Sequence, residues 1–157
     1  MKRLVVLVGF VLIGAGVCSA QRTTVAGDWR GVWTGPDGSV YSAEMTLEEG
    51  PGCKTCALAG AGSVRGRIVW TQQKAGPKTG GAVGATSTEL VMGEVKGDGL
   101  LVLNGYERDD PGRVKPLDHY RLAIADTGNV MGGITLNGGP WTGQFIVMRT
   151  HQYLPPE

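Results

Sequence analysis

The sequence predicts an all-β chain whose eight antiparallel strands close into an up-and-down barrel, with a two-sheet β-sandwich as the alternative. From Gly27 onward, short runs of β-type residues alternate with turn chemistry. No segment sustains the 3.6-residue apolar period of a packed helix. The 157 residues include 27 glycines against 8 prolines without a Gly-X-Y repeat, which points to many tight turns rather than to collagen or disorder. A barrel is preferred because closure removes the unpaired edges that an open sheet exposes to other chains.

The first strand is expected over residues 28–34, ended by Gly35-Pro36-Asp37-Gly38, where proline presets the turn and glycine accepts a positive φ. The second, 40–47, alternates: Tyr41, Ala43, Met45 and Leu47 share one face, Ser42, Glu44 and Thr46 the other, as in a half-buried strand. Residues 63–72 form the third, with Val64, Ile68 and Trp70 on one face. The connection 74–85, KAGPKTGGAVGA, has the glycines of a phosphate loop but neither its Gly-Lys-Ser/Thr ending nor a following helix. Strands at 86–95 and 100–107 flank Lys96-Gly97-Asp98-Gly99, a hairpin signal. The apolar run Leu100-Leu101-Val102-Leu103 predicts a strand covered on both faces. After the polar loop 108–116 come strands at 119–125, 130–136 and 141–149, turned by Asp126-Thr127-Gly128-Asn129 and Asn137-Gly138-Gly139-Pro140. The barrel domain is thus 27–149, between a linker at 21–26 and a frayed tail at 150–157.

Residues 1–20 have the layout of a secretory signal peptide: Lys2 and Arg3, an apolar run from Leu4 to Val17, then small residues before Gln21. The run is short for a membrane span. Cleavage after Ala20 is expected, giving a periplasmic or secreted protein. The alternatives are a lipid anchor on Cys18, against which Val17 stands where a small residue is usual, and an uncleaved anchor. Loss of Lys2 and Arg3 takes the 15 basic residues to 13 against 14 acidic ones, a formal charge of −1. So balanced a domain offers no field for nucleic acid or an anionic membrane.

The mature chain keeps Cys53 and Cys56, and an even, close pair in an oxidising compartment most simply forms a disulfide. A redox pair would want Cys53 at a helix N-terminus, yet glycine-rich sequence surrounds it. Zinc would have to recruit His119 and His151, which have no finger-like spacing with the cysteines. No metal or cofactor is expected.

The densest polar cluster, Glu107, Arg108, Asp109, Asp110 and Arg113, reads either as a solvated loop or as carboxylates at a barrel mouth. Asp118 and His119 are adjacent on a strand and so face opposite sides. No Gly-x-Ser-x-Gly elbow is present. Trp29 and Trp33, four apart on one strand, share a face and either fill the core or line a ligand mouth.

Gly27-Asp28-Trp29 on the first strand and Arg149 closing the last resemble the two ends of the calycins, the group of lipocalins, fatty-acid-binding proteins and avidins. The resemblance implies a structural role for both Trp29 and Arg149, with the arginine lying across the tryptophan at the closed end of the barrel. Two features depart from it: only eight residues follow Arg149, where a lipocalin carries a helix, and Gly143-Gln144-Phe145 lacks the avidin pattern, so biotin binding is not carried over. In an up-and-down barrel the loops after strands one, three, five and seven share one end, and these include the two longest polar connections. That rim, with Lys78, Glu107, Asp109, Asp110 and Arg113, is the expected recognition surface of a non-enzymatic binding protein. The expected ligand is small and apolar or amphipathic. The alternatives are recognition of an envelope or secreted protein by a filled barrel and an enzyme with dispersed acid and base groups.

Overall fold

The computed structural model describes residues 24–49, 63–77, 82–109, 117–136 and 142–152. The strands are β1 (Gly27–Thr34), β2 (Val40–Glu49), β3 (Ser63–Lys74), β4 (Thr86–Val95), β5 (Leu100–Asp109), β6 (His119–Ile124), β7 (Val130–Leu136) and β8 (Thr142–Gln152). Each is hydrogen-bonded to its sequence neighbours, and β1 also pairs with β8, so the sheet is a closed antiparallel barrel and not a sandwich. Several strands run two or three residues past the expected ends. β5 carries pairing through Asp109, opposite Thr88, and β8 through Gln152, opposite Gly27.

The short connections follow the turn chemistry. Gly38, Gly99 and Gly128 have φ of 79°, 76° and 69°, and each N–H donates back to the carbonyl three residues earlier. Inner positions follow the period of two. Trp29 and Trp33 of β1, Tyr41 to Leu47 at alternate positions of β2, Ile68 and Trp70 of β3, Leu101 and Leu103 of β5, Tyr120 and Leu122 of β6, and Phe145 and Val147 of β8 are buried in one core. On β5, Leu100 and Val102 lie on the outer face and are half-buried, so the apolar run is fully covered on one side only.

Glycine has a second use that the composition did not disclose. A Cβ at Gly31, Gly66, Gly93 or Gly133 would lie 2.0, 2.1, 1.8 or 1.9 Å from a carbonyl oxygen of the adjacent strand. These glycines stand inside strands, where neighbouring backbones approach too closely for any side chain, and they let a small barrel coil tightly enough to close.

The connections after β2, β4 and β6 share one end of the barrel with Thr24–Ala26, and this end is sealed. The Arg149 guanidinium carbon lies 4.3 Å from the centroid of the Trp29 ring. Its Nε donates to Gly128 O at 3.0 Å, Nη1 to Ala26 O at 2.7 Å and Nη2 to Thr24 O at 2.6 Å. Trp29 Nε1 donates to Val25 O at 3.0 Å, and Glu49 Oε2 accepts from Val25 N and Thr24 Oγ1. Burial lowers the Arg149 pKa, opposed by the charge of Glu49. Gly27, with φ of 144°, is required here because a Cβ would strike the His151 carbonyl oxygen at 2.1 Å.

Candidate functional site

The opposite end, where β1, β3, β5 and β7 finish, is built differently. As each strand approaches it, the inner face changes from aliphatic to polar and aromatic. β3 proceeds from Ile68 through Trp70 to Gln72, and β4 approaches the same end from Val91 through Glu89 to Ser87. β6 contributes Tyr120 with Asp118 just before it, and β7 contributes Thr135. All of the polar members are at most 3% exposed.

Glu89 is the centre of this layer. Its Oε2 accepts the Tyr120 hydroxyl and Trp70 Nε1, the latter at 3.2 Å, while Oε1 accepts Asp118 N at 2.9 Å. Three donors on one carboxylate offset much of the cost of burying it. Gly105 leaves it room, since a Cβ there would lie 1.8 Å from Glu89 Oε1. Burial, followed by the charges of Glu89 and Asp118, raises the Tyr120 pKa well above the ordinary tyrosine value, so the hydroxyl remains a protonated donor. The rings enclose the layer: Trp70 stacks on Tyr120 at 6.5 Å and 11°, and Phe145 meets them at 5.1 and 5.8 Å. Across the barrel, Trp33 packs edge-on to Tyr41 at 5.4 Å, and its Nε1 donates to Thr135 Oγ1 at 2.7 Å.

Beside this network stands a group that is not satisfied. Gln72, fully buried and opposite Tyr41 in the β2–β3 register, has its backbone paired with Gly84 and Ala85. Neither its side-chain Oε1 nor Nε2 has a hydrogen-bond partner among the described residues, and Ser87 Oγ is in the same condition. Each such group costs about 1–3 kcal/mol if nothing meets it.

Of the residues expected at the rim, Glu107 and Asp109 are exposed at the end of β5, whereas Lys78, Asp110 and Arg113 lie outside the described residues. Cys18, Cys53 and Cys56 also lie outside them. Asp118 is buried, while His119 is exposed on the outer wall, where its Nδ1 is 2.6 Å from Asn104 Oδ1. Gln72, Ser87 and Glu89 belong to no motif in the sequence, although alternation contains the signal: Ile68, Trp70 and Gln72 are in phase, as are Ser87, Glu89 and Val91. A polar residue in phase with core positions at the end of a strand marks an interior site.

No protein-family model matches the chain, and no curated protein matches it. Among solved structures it is similar to a redesigned β-barrel, mFAP0, bound to DFHBI. The TM-score is 0.56 at 14% identity, covering 80% of this chain and 98% of the designed one. At that identity the likeness is one of fold.

Proposed function

We propose that this chain is an exported, non-enzymatic binding protein that holds a small amphipathic ligand at the polar end of its barrel. The observation that carries this reading is the pair Gln72 and Ser87, buried and unpartnered among the described residues. Buried polar groups are retained in native proteins where something satisfies them. The surrounding Trp70, Tyr120, Phe145, Tyr41 and Trp33 supply the apolar walls such a ligand requires. The designed barrel of similar fold binds a small molecule, which supports the same use here. The Arg149 and Trp29 arrangement supports kinship with the calycins.

Titration with 1-naphthylmethanol, a neutral amphiphile, read by quenching of tryptophan fluorescence, tests the site. In Gln72→Leu the melting temperature is expected to rise, because an unmet amide is removed, while affinity falls about tenfold or more with the lost hydrogen bonds. Saturable quenching that is unchanged in Gln72→Leu, or no quenching in the native chain, overturns the reading.

Export rests on residues 1–20, and the Cys53 and Cys56 pairing on the oxidising compartment that export implies. The expected intact mass begins at Gln21 and rises by about two mass units on reduction. A mass that includes residues 1–20, or does not change on reduction, removes the corresponding part of the proposal.

One further observation favours a second reading, protein recognition. Val32, Ile146, Met148, Val130, Ile134 and Leu136 are exposed together on the outer wall of β1, β8 and β7, where Val32 pairs with Ile146 and Met148 with Val130.

A further inference from the structure

The unmet atoms of Gln72 narrow the class of ligand. Gln72 is 0% and Ser87 3% exposed, and both Oε1 and Nε2 of Gln72 are without a hydrogen-bond partner among the described residues. The side chain therefore offers a whole amide edge, an acceptor beside a donor, with neither end held by the protein. The strands fix its place. Gln72 is in phase with Ile68 and Trp70 on the inner face of β3, its main chain is tied to Gly84 and Ala85, and Tyr41 stands directly opposite on β2. Trp70 pairs with Ser87, so Ser87 is the diagonal neighbour of Gln72 across the β3–β4 ladder.

Few head groups meet both atoms of such an edge. An ether or lone carbonyl oxygen accepts from Nε2 and leaves Oε1 at its full desolvation cost. A hydroxyl must donate and accept through one oxygen, at the expense of alignment. A trans peptide directs its N–H and C=O to opposite sides. A carboxylic acid has the matching edge only while protonated, which at pH 7 it ordinarily is not. A neutral cis-amide, with N–H and C=O side by side, meets Oε1 and Nε2 together.

We propose that the ligand is an aromatic lactam or a related cis-amide, paired edge to edge with the Gln72 amide through Oε1 and Nε2, with Ser87 Oγ donating to the ligand carbonyl. This rests on the ligand-binding reading above and specifies the head group. The planar body packs on the rings of Tyr41 and Trp70, the aromatic residues nearest to Gln72 in the register.

Calorimetric titration at pH 7 compares 2-quinolinone, which has the lactam edge, with 1-methyl-2-quinolinone, whose N–H is blocked, and 2-methoxyquinoline, which has no donor; 1-naphthylmethanol is run beside them as the probe of the site itself. The lactam is expected to bind about thirtyfold more tightly than either blocked analogue. In Gln72→Leu that ratio is expected to fall below about threefold, and Gln72→Met gives the same reading should Gln72→Leu fail to fold. Ser87→Ala is expected to weaken lactam binding about threefold. Binding of 1-naphthylmethanol that depends on Gln72, without a lactam preference among the quinoline compounds, overturns the inference while the ligand site stands. If none of the four compounds binds, the site and the inference fall together. A full lactam preference retained in a folded Gln72→Leu or Gln72→Met variant overturns the assignment to Gln72, and unchanged lactam binding in Ser87→Ala overturns the part given to Ser87.

Discussion

Gly93→Ala is expected to destabilise the barrel by about 2–4 kcal/mol, although it adds a single methyl group. The new Cβ would lie 1.8 Å from Val102 O and 2.9 Å from the Leu103 Cα, both backbone atoms of β5 that no rotamer change can move. Either β4 and β5 separate and lose ladder hydrogen bonds, or the strand uncoils at a corner that closure depends on. Gly97→Ala is the control. It lies four residues away in the turn, nothing is within 4 Å of its added Cβ, and its φ is not positive, so its effect should stay within about 0.5 kcal/mol. Urea unfolding of the two variants measures the difference. Equal midpoints would show that the β4–β5 approach is not a requirement of the fold.

Arg149→Ala is the second large effect, a loss of about 2–4 kcal/mol. It removes the donors to the carbonyls of Thr24, Ala26 and Gly128 and the cation over Trp29 together, which leaves partly buried acceptors unmet at the sealed end. Arg149→Lys should recover less than half of the loss, since an ammonium cannot reach carbonyls on both sides of the ring as the planar fork does. Arg30→Ala supplies the contrast, because its pairing with Glu44 is between side chains 70% and 67% exposed and contributes little. Since Arg149 lies at the end away from Gln72 and Glu89, naphthyl affinity in the folded variant should change less than about threefold. Thermal and urea unfolding, with the same fluorescence titration, separate the two effects. A variant as stable as the native chain would leave the seal without an energetic role.

The strands and turns were legible because both are local. Alternation at Tyr41, Ala43, Met45 and Leu47, and the positive-φ glycines at 38, 99 and 128, are decided within a few residues of chain. The ends of β5 and β8 were not, because Arg108, Asp109 and residues 150–152 look like solvated termini until a neighbouring strand offers them a ladder. The buried polar layer was not legible for a related reason. Charged side chains in loops draw attention as solvent-facing groups, whereas Glu89 and Gln72 sit within strands and look like outward polar positions unless their phase with Val91 and Trp70 is counted.

The sequence by itself determined the class of element, the number and order of strands, and which connections share an end, since these follow from period, turn chemistry and antiparallel succession. Tertiary structure alone decided closure, through the pairing of β1 with β8 across almost the whole barrel domain, and that decision turned in-strand glycines from turn formers into corners. It alone also assembled Gln72, Ser87, Glu89, Asp118 and Tyr120. These residues come from three strands and the residue preceding one of them. Their burial, and the hydrogen bonds of Glu89 to Tyr120 and Asp118, arise only when the barrel closes and brings these strands round a common interior.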